Sequence, residues 1–258
     1  MHAALTARRI ASPAKTAPPV TTAHGGLGID AVLAHVACLA TEPAGARRRL
    51  VVAAEACARM VAARQRLTLA LDVQHGIERL VQLAGGRERA RCHRPPEREA
   101  LRPHQGEARE RVAQAMVEWR DAGQCFTRAT HLLPTQLSHE VTQAPALNLA
   151  ERQALMQAYV RGGSLAQAGD FDEALGRYAA AHRRCEDAAD LALIARASRQ
   201  KAESDLRIGQ SSLLSVANAW LAELAGVDAM LVAEGRRGAV HGALRVLSGD
   251  ILHRVSEE

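Results

Sequence analysis

The clearest hydrophobic pattern of the chain lies in its last third. Apolar residues recur at three-to-four spacing over 213–231, which is typical of a helix with one buried face. A polar break at 209–212 precedes this run, and a second helical pattern precedes the break. The sequence therefore predicts an antiparallel hairpin of two helices, over 171–207 and 212–248. The first helix would be roughly 55 Å long at about 1.5 Å per residue, a length typical of coiled-coil-like packing.

The residues of the polar break have the properties that a tight turn between helices needs. Gly209 can adopt the positive φ that commonly ends a helix, because it has no Cβ. Ser211 or Ser212 can then accept a hydrogen bond from a free backbone N–H of the next helix. We therefore expect the turn to be centred on Gly209.

The remaining chain divides by composition and periodicity. The predicted segments are a disordered leader at 1–27, a helical segment at 28–85, an Arg/Pro-rich linker at 86–106, a short helix with loops at 107–146, and a hairpin domain at 147–250. In this division Gly85 and Gly86 end a long helix that begins at 46, and Gly123 ends the short helix.

The composition favours helices throughout. Aromatic residues make up 2% of the 258-residue chain, while Ala and Arg are abundant. Small side chains suit closely packed helices and argue against a sandwich or barrel. We predict an all-α fold, namely a long coiled-coil-like antiparallel hairpin with a poorly ordered N-terminal part. Because large apolar side chains are few, we also expect a homo-oligomer.

Charge and hydropathy limit the partners. The net charge is +5, but the Arg residues are spread along the chain, balanced by Glu and not interleaved with aromatic residues. We therefore expect no nucleic-acid partner. No uncharged apolar run reaches the length of about 18 residues that suggests a membrane-spanning helix.

Candidate chemistry is sparse. The five cysteines have no CxxC spacing, and Cys57 and Cys185 lie on apolar helix faces, where they are most simply core residues. His131 and His139 flank a proline without the spacing of a zinc site, so we interpret them as solvated loop residues. No nucleophile, phosphate-binding or dinucleotide motif is present. We expect no catalytic, cofactor or metal site and no enzymatic activity.

Three segments resemble a known family. Residues 205–219, DLRIGQSSLLSVANA, resemble the pattern (R)YRxGxSSLLDVLDA of the outer-membrane efflux (TolC-like) family. Upstream, 170–178 (DFDEALGRY) is similar to EVEDALxRY, and downstream, 243–249 (ALRVLSG) is similar to ALYRALGG. The matched region is about 150–250. Leu206 stands where the family usually has Tyr.

The resemblance implies a function and a binding site. It implies a non-enzymatic component like the periplasmic tunnel hairpin of an efflux protein, in a truncated or diverged form, since no run has the alternation of a barrel strand. The family's glycine-containing turn meets the adaptor protein of a tripartite exporter. Carried over, the partner-binding tip consists of Arg207, Gly209, Ser211, Ser212 and Leu213. The implied location is the cell envelope.

An alternative interpretation remains beside this one. Residues 158–181 resemble a single tetratricopeptide repeat, with Gly162, Ala174, Tyr178 and Ala181 at its small and aromatic positions. A shift of about 34 residues finds no second copy, although a stable stack needs about three. Under this alternative the chain is a soluble, cytoplasmic helical scaffold that binds other proteins.

Overall fold

The computed structural model of the chain describes residues 26–39, 43–89, 97–138, 147–162 and 168–249. These residues form six α-helices and one 3-10 turn, with no β-strand among them. The helices are α1 (Ile29–Cys38), α2 (Pro43–Arg89), α3 (Glu97–Thr130), α4 (Leu149–Gly162), α5 (Ala168–Arg207) and α6 (Leu213–Leu247), and the 3-10 turn is Pro134–Gln136. The predicted all-α fold is confirmed. The predicted leader lies outside the described residues, except for its last two positions.

Four of the helices are long and pair into two hairpins. α5 packs along α6 through the turn at Gly209, which confirms the hairpin predicted from the hydrophobic pattern. α2 packs along α3 in the same way, and α2 also packs along α6. The order across the bundle is therefore α3, α2, α6, α5. α2 and α6 form its centre, while α1 packs mainly on α2 and α4 touches α6.

Glycines allow the two central helices to approach each other closely. Gly242 of α6 faces Ala54 of α2, and a Cβ added to the glycine would lie 2.6 Å from the alanine Cβ. Gly76 of α2 leaves room for the indole of Trp220, which would lie 2.6 Å from a Cβ at that position. Side chains packed closely on these glycine backbones thus add contacts in a core that has few large side chains.

The predicted linker at 86–106 is largely helical, which corrects the expectation from composition. α2 continues past Gly85 and Gly86 to Arg89, and α3 already begins at Glu97, with Pro103 inside it. Residues 90–96 lie outside the described residues. Leu101 is fully buried against the end of α2, so tertiary burial outweighs the weak helical preference of this stretch.

α3 also extends beyond its predicted end at Gly123. The glycine is buried within the helix, where an added Cβ would lie 3.2 Å from Cγ of Pro134. Gly123 therefore allows α3 and the 3-10 turn to approach each other closely, and it does not end the helix. The helix ends instead at Thr130, followed by His131 with a φ of 59°. Leu137, after the 3-10 turn, forms an isolated parallel bridge with Leu27.

The segment that resembles a tetratricopeptide repeat forms part of α4 and α5. Tyr178 and Ala174 are buried, as that repeat would require. However, α5 is 40 residues long and continues to Arg207 as one arm of the hairpin. The helix that holds these residues is thus longer than an entire repeat of about 34 residues.

The sequence led us to expect no helix that is apolar enough to cross a membrane, and α6 does not fit this expectation. Among the described residues it is the one helix that passes such a test by length and composition. The core helix of a soluble protein passes the same test, and α6 is packed between α2 and α5. Its Asp228 binds Arg66 of α2, and its Glu223 binds Arg199 of α5, so these faces of α6 contact protein.

Candidate partner-binding tip

The end of α5 is closed by a glycine turn of the Schellman type. Gly209 has a φ of 78°, and its N–H donates to the Leu206 carbonyl over 3.2 Å. The N–H of Gln210 donates to the Asp205 carbonyl over 2.8 Å. These two bonds satisfy carbonyls that a helix end leaves without partners, and the geometry requires a residue that tolerates positive φ. The predicted backbone role of Gly209 is confirmed.

The start of α6 is capped by a serine. Of the two candidates, Ser212 is the cap, with extended backbone angles and a side-chain oxygen that accepts from the Ser215 N–H over 3.1 Å. The turn therefore holds its shape through local hydrogen bonds on both sides. A rigid loop between two long helices presents its outer residues in one defined arrangement.

The structure brings the five predicted tip residues together but does not expose all of them. Arg207, Gly209 and Ser212 are exposed, and Ser211 is half-buried. Leu213 is fully buried at 0% exposure, so it anchors the tip and offers no contact surface. Its neighbours are apolar residues from the end of α2, the start of α3 and α6 itself: Leu80, Ala84, Leu101, Val216 and Ala217.

Ile208 is a tip residue that sequence reasoning missed as a contact. It is 65% exposed at the outer end of the hairpin, beside Gly209. The helical spacing did indicate this exposure. Ile208 follows the half-buried Leu206 by only two residues, so it lies off the buried stripe of α5. An exposed branched aliphatic side chain is the main apolar group that this turn presents.

The second hairpin ends beside the first. Because Leu213 packs against Leu80 and Leu101, the end of α2 and the start of α3 lie at the same end of the bundle as Gly209. An ion pair between Arg87 and Glu97, 3.5 Å apart, joins α2 to α3 there. The two hairpins thus form one end surface.

Ion pairs join the helices behind the tip. Glu223 of α6 is buried and binds both Arg199 and Arg196 of α5, the latter over 3.3 Å. The Arg199 guanidinium also lies 4.8 Å from the centre of the Trp220 ring, a cation–π contact. These bonds connect α5 to α6 at fixed positions along the helices and hold the two arms of the hairpin in register.

A second ion-pair site joins three helices. Arg66 of α2 binds Glu118 of α3 and Asp228 of α6. The hydrogen bond with Asp228 is the main cause that raises the pKa of Arg66 above its ordinary value. A half-buried guanidinium with two carboxylate partners is well suited to crosslinking helices. The arrangement is structural, since both partners of the cation belong to the bundle itself.

The described residues contain no group of three or more His, Cys, Asp or Glu side chains that could hold a metal ion. His131 lies at the end of α3, and His139 and Cys92 lie outside the described residues. Cys57 and Cys185 are buried, as predicted for core residues. Burial raises the pKa of the Cys57 thiol to about 12, so the thiol is protonated at neutral pH.

Comparison with known proteins gives a likeness of fold. No protein-family model matches the sequence. No curated protein matches it either. Among solved structures, the chain is similar to one described as the outer-membrane channel OprN, with a TM-score of 0.58 and 14% sequence identity. The match covers 86% of this chain and 70% of that one. At this identity the likeness shows a similar arrangement of helices and nothing of function.

Proposed function

We propose that the chain is a non-enzymatic helical component of an efflux-type assembly in the cell envelope. In this function the two hairpins form a segment of a periplasmic tunnel, and the tip around Gly209 binds a periplasmic adaptor protein. The observation that carries the proposal is the shared end surface of the two hairpins. It agrees with the resemblance of residues 205–219 and with the fold likeness to an outer-membrane channel.

The form of the tip supports the binding of another helical protein. The end of α2 and the start of α3 lie beside the turn at Gly209, and the exposed Ile208 supplies an apolar contact. Arg207, in the last turn of α5, adds an exposed cation. Apolar and Arg contacts at the centre of a small interface commonly contribute most of the binding energy.

The edges of the bundle support association between copies of the chain. α5 packs on α6, and α3 packs mainly on α2 with fewer contacts to α6. Both helices carry large apolar side chains that the bundle leaves exposed. These residues are Met116, Val117 and Trp119 on α3, and Leu191, Leu193 and Ile194 on α5. Contiguous exposed apolar groups on a helix commonly mark an interface. A homo-oligomer that joins α5 of one copy to α3 of the next would cover both edges.

Site-specific photo-crosslinking tests the proposed role of the tip. A benzophenone amino acid at Ile208, introduced into the chain in cells of its source, is expected to give a crosslinked product with a periplasmic adaptor protein. Cell fractionation is expected to place the chain in the envelope. The matched control is the same probe at Val160, which is 75% exposed but lies on α4, far from the tip.

The outcomes separate this function from that of a soluble scaffold. A product at position 208 that is absent at position 160 and contains an adaptor protein supports the proposal. Equal products at both positions, or a chain found in the soluble cytoplasmic fraction, would contradict it.

A further inference from the structure

α4, α5 and α6 meet in an aromatic cluster away from the tip. Phe171 and Tyr178 of α5 are buried there beside Leu244 of α6. The ring of Tyr159, on α4, stacks on Phe171 with their centres 4.4 Å apart. This stack connects α4 to the hairpin. Three of the chain's six Phe, Tyr and Trp residues thus lie at this junction.

Tyr178 also connects the α4 segment to the hairpin. It is 4% exposed, and its hydroxyl accepts a hydrogen bond over 2.6 Å from the N–H of Leu147, at the start of the α4 segment. Two histidine rings flank it: His182, one turn along α5, at 6.0 Å, and His241 of α6 at 6.3 Å between ring centres. A single tyrosine thus joins the start of α4 to both arms of the hairpin.

His241 is placed where a positive charge is unfavourable. Burial is the main cause that lowers its pKa below the ordinary value, and the cations Arg245 and Arg237 on α6 lower it further. Two carboxylates oppose this effect, Glu151 of α4 and Asp30 of α1. Both are engaged elsewhere: Asp30 lies 2.7 Å from Arg245 and Glu151 caps the start of α4.

The charged and titratable groups that act on His241 or lie beside Tyr178 come from four helices. α1 contributes Asp30, and α4 contributes Glu151. α5 contributes Tyr178 and His182, with Glu186 at 3.5 Å from Nε2 of His182. α6 contributes Arg237 and Arg245 beside His241. His241 is the member of this set that combines partial burial with two neighbouring cations.

We propose that His241 and Tyr178 form a proton-operated latch, in which protonation of His241 in mildly acidic solution loosens α4 from α5 and α6. A charged imidazolium cannot stay beside Arg245 and Arg237 in the half-buried position without drawing in water. Water entry separates the rings around Tyr178 and weakens its bond to Leu147. The bundle of α2, α3, α5 and α6 does not depend on this contact and remains folded.

The direction of the pH effect follows from proton linkage. An opened or unfolded His241 has a pKa of about 6.5, whereas the closed latch holds it lower. The opened state therefore binds more protons in the interval between the two values. The closed state has its full stability above about pH 6.5 and loses stability as the pH falls below that value.

Amide hydrogen exchange of the full chain tests the latch. Between pH 7.5 and 5.5, after correction for intrinsic exchange, the protection of residues 147–162 is expected to fall by up to about tenfold, the limit that an opened-state pKa of about 6.5 allows. His241→Gln is expected to remove this pH response, whereas the control His182→Gln is expected to keep it. Protection of α2 is expected to change little.

Two results would overturn the proposal. One is an exchange result: the pH response at 147–162 persists in His241→Gln, or the wild-type chain shows no pH response there. The other comes from an NMR titration of the His241 ring in the wild-type chain, which does not rely on any variant. A measured pKa at or above about 6.5 would show that the folded chain does not oppose this protonation.

Discussion

At the scale of single residues, the glycines of this chain have two different structural roles. Gly209 is required for its backbone angle, since its φ is 78° and nothing would obstruct a Cβ there. Gly242 is required for space, because Ala54 occupies the position where its side chain would be. Gly176 shows neither constraint, since it lies in α5 with open space around it. It therefore serves as a reference for substitutions at the other two.

Replacing Gly209 is expected to destabilise the chain. Gly209→Ala should lower the free energy of unfolding by about 1 kcal/mol, and Gly209→Val by more, because an L-residue with a β-branch is strained at positive φ. The control Gly176→Ala is expected to raise stability by up to about 1 kcal/mol, since Ala is the better helix former. Urea unfolding monitored by circular dichroism measures all three variants. An unchanged midpoint for Gly209→Val would refute the assigned role.

At the scale of elements, the contact between α2 and α6 decides the architecture. These helices join one hairpin to the other, and their separation is set by glycine positions. The ion pair of Arg66 with Asp228 fixes the register of α2 and α6, and its ion pair with Glu118 fixes that of α2 and α3. Small residues and paired charges together specify which helix faces meet, where few large side chains are present to do so.

An added methyl group at this contact is expected to separate the helices. Gly242→Ala brings two Cβ atoms to 2.6 Å, so one backbone must shift. Overpacking typically costs 1–3 kcal/mol, and the higher helix propensity of Ala offsets about 1 kcal/mol of that cost, so we expect a net destabilisation of roughly 1 kcal/mol. The measurement is the midpoint of urea unfolding, with Gly176→Ala as the control.

A double variant checks that the clash is the cause. Adding Ala54→Gly to Gly242→Ala removes the opposing Cβ and should restore part of the lost stability, so the two changes should not be additive. If the double variant loses as much stability relative to the wild type as the two single variants together, the close contact is not what the glycine provides.

At the scale of the whole molecule, the chain presents two edge helices with uncovered apolar residues. Ile194 on α5 is 66% exposed, and it lies on one face of the helix with Leu191. Because the core contains mostly small residues, burial of these edges between copies would add apolar area that the single chain lacks. The proposed homo-oligomer is the association that this arrangement favours.

Introducing a charge at this edge is expected to break the oligomer. Ile194→Glu should convert purified protein toward the monomer in size-exclusion chromatography with light scattering, at a concentration where the wild-type chain is oligomeric. Gln200→Glu adds the same charge at an exposed position of α5 six residues beyond Ile194, outside the apolar patch, and should leave the oligomer intact. A monomeric wild-type chain at all concentrations, or equal effects of the two variants, would exclude this interface.

The sequence by itself determined the features that depend on neighbours along the chain. The periodicity of α6, the glycine at positive φ and the serine cap are local, because helix hydrogen bonds and caps join residues within a few positions of each other. For this reason the hairpin of α5 and α6 and its turn at Gly209 were predicted correctly. The low aromatic content likewise excluded sheet architectures in favour of helices.

Only the tertiary structure decided which surfaces are covered. α3 begins at Glu97 because Leu101 is buried against α2, and that burial outweighs a composition typical of a linker. Leu213 is buried and Ile208 exposed because the second hairpin ends beside the first. Contacts between residues that are more than 100 positions apart leave no periodic signal in the sequence, so the pairing of α2 with α6 became known only from the folded chain.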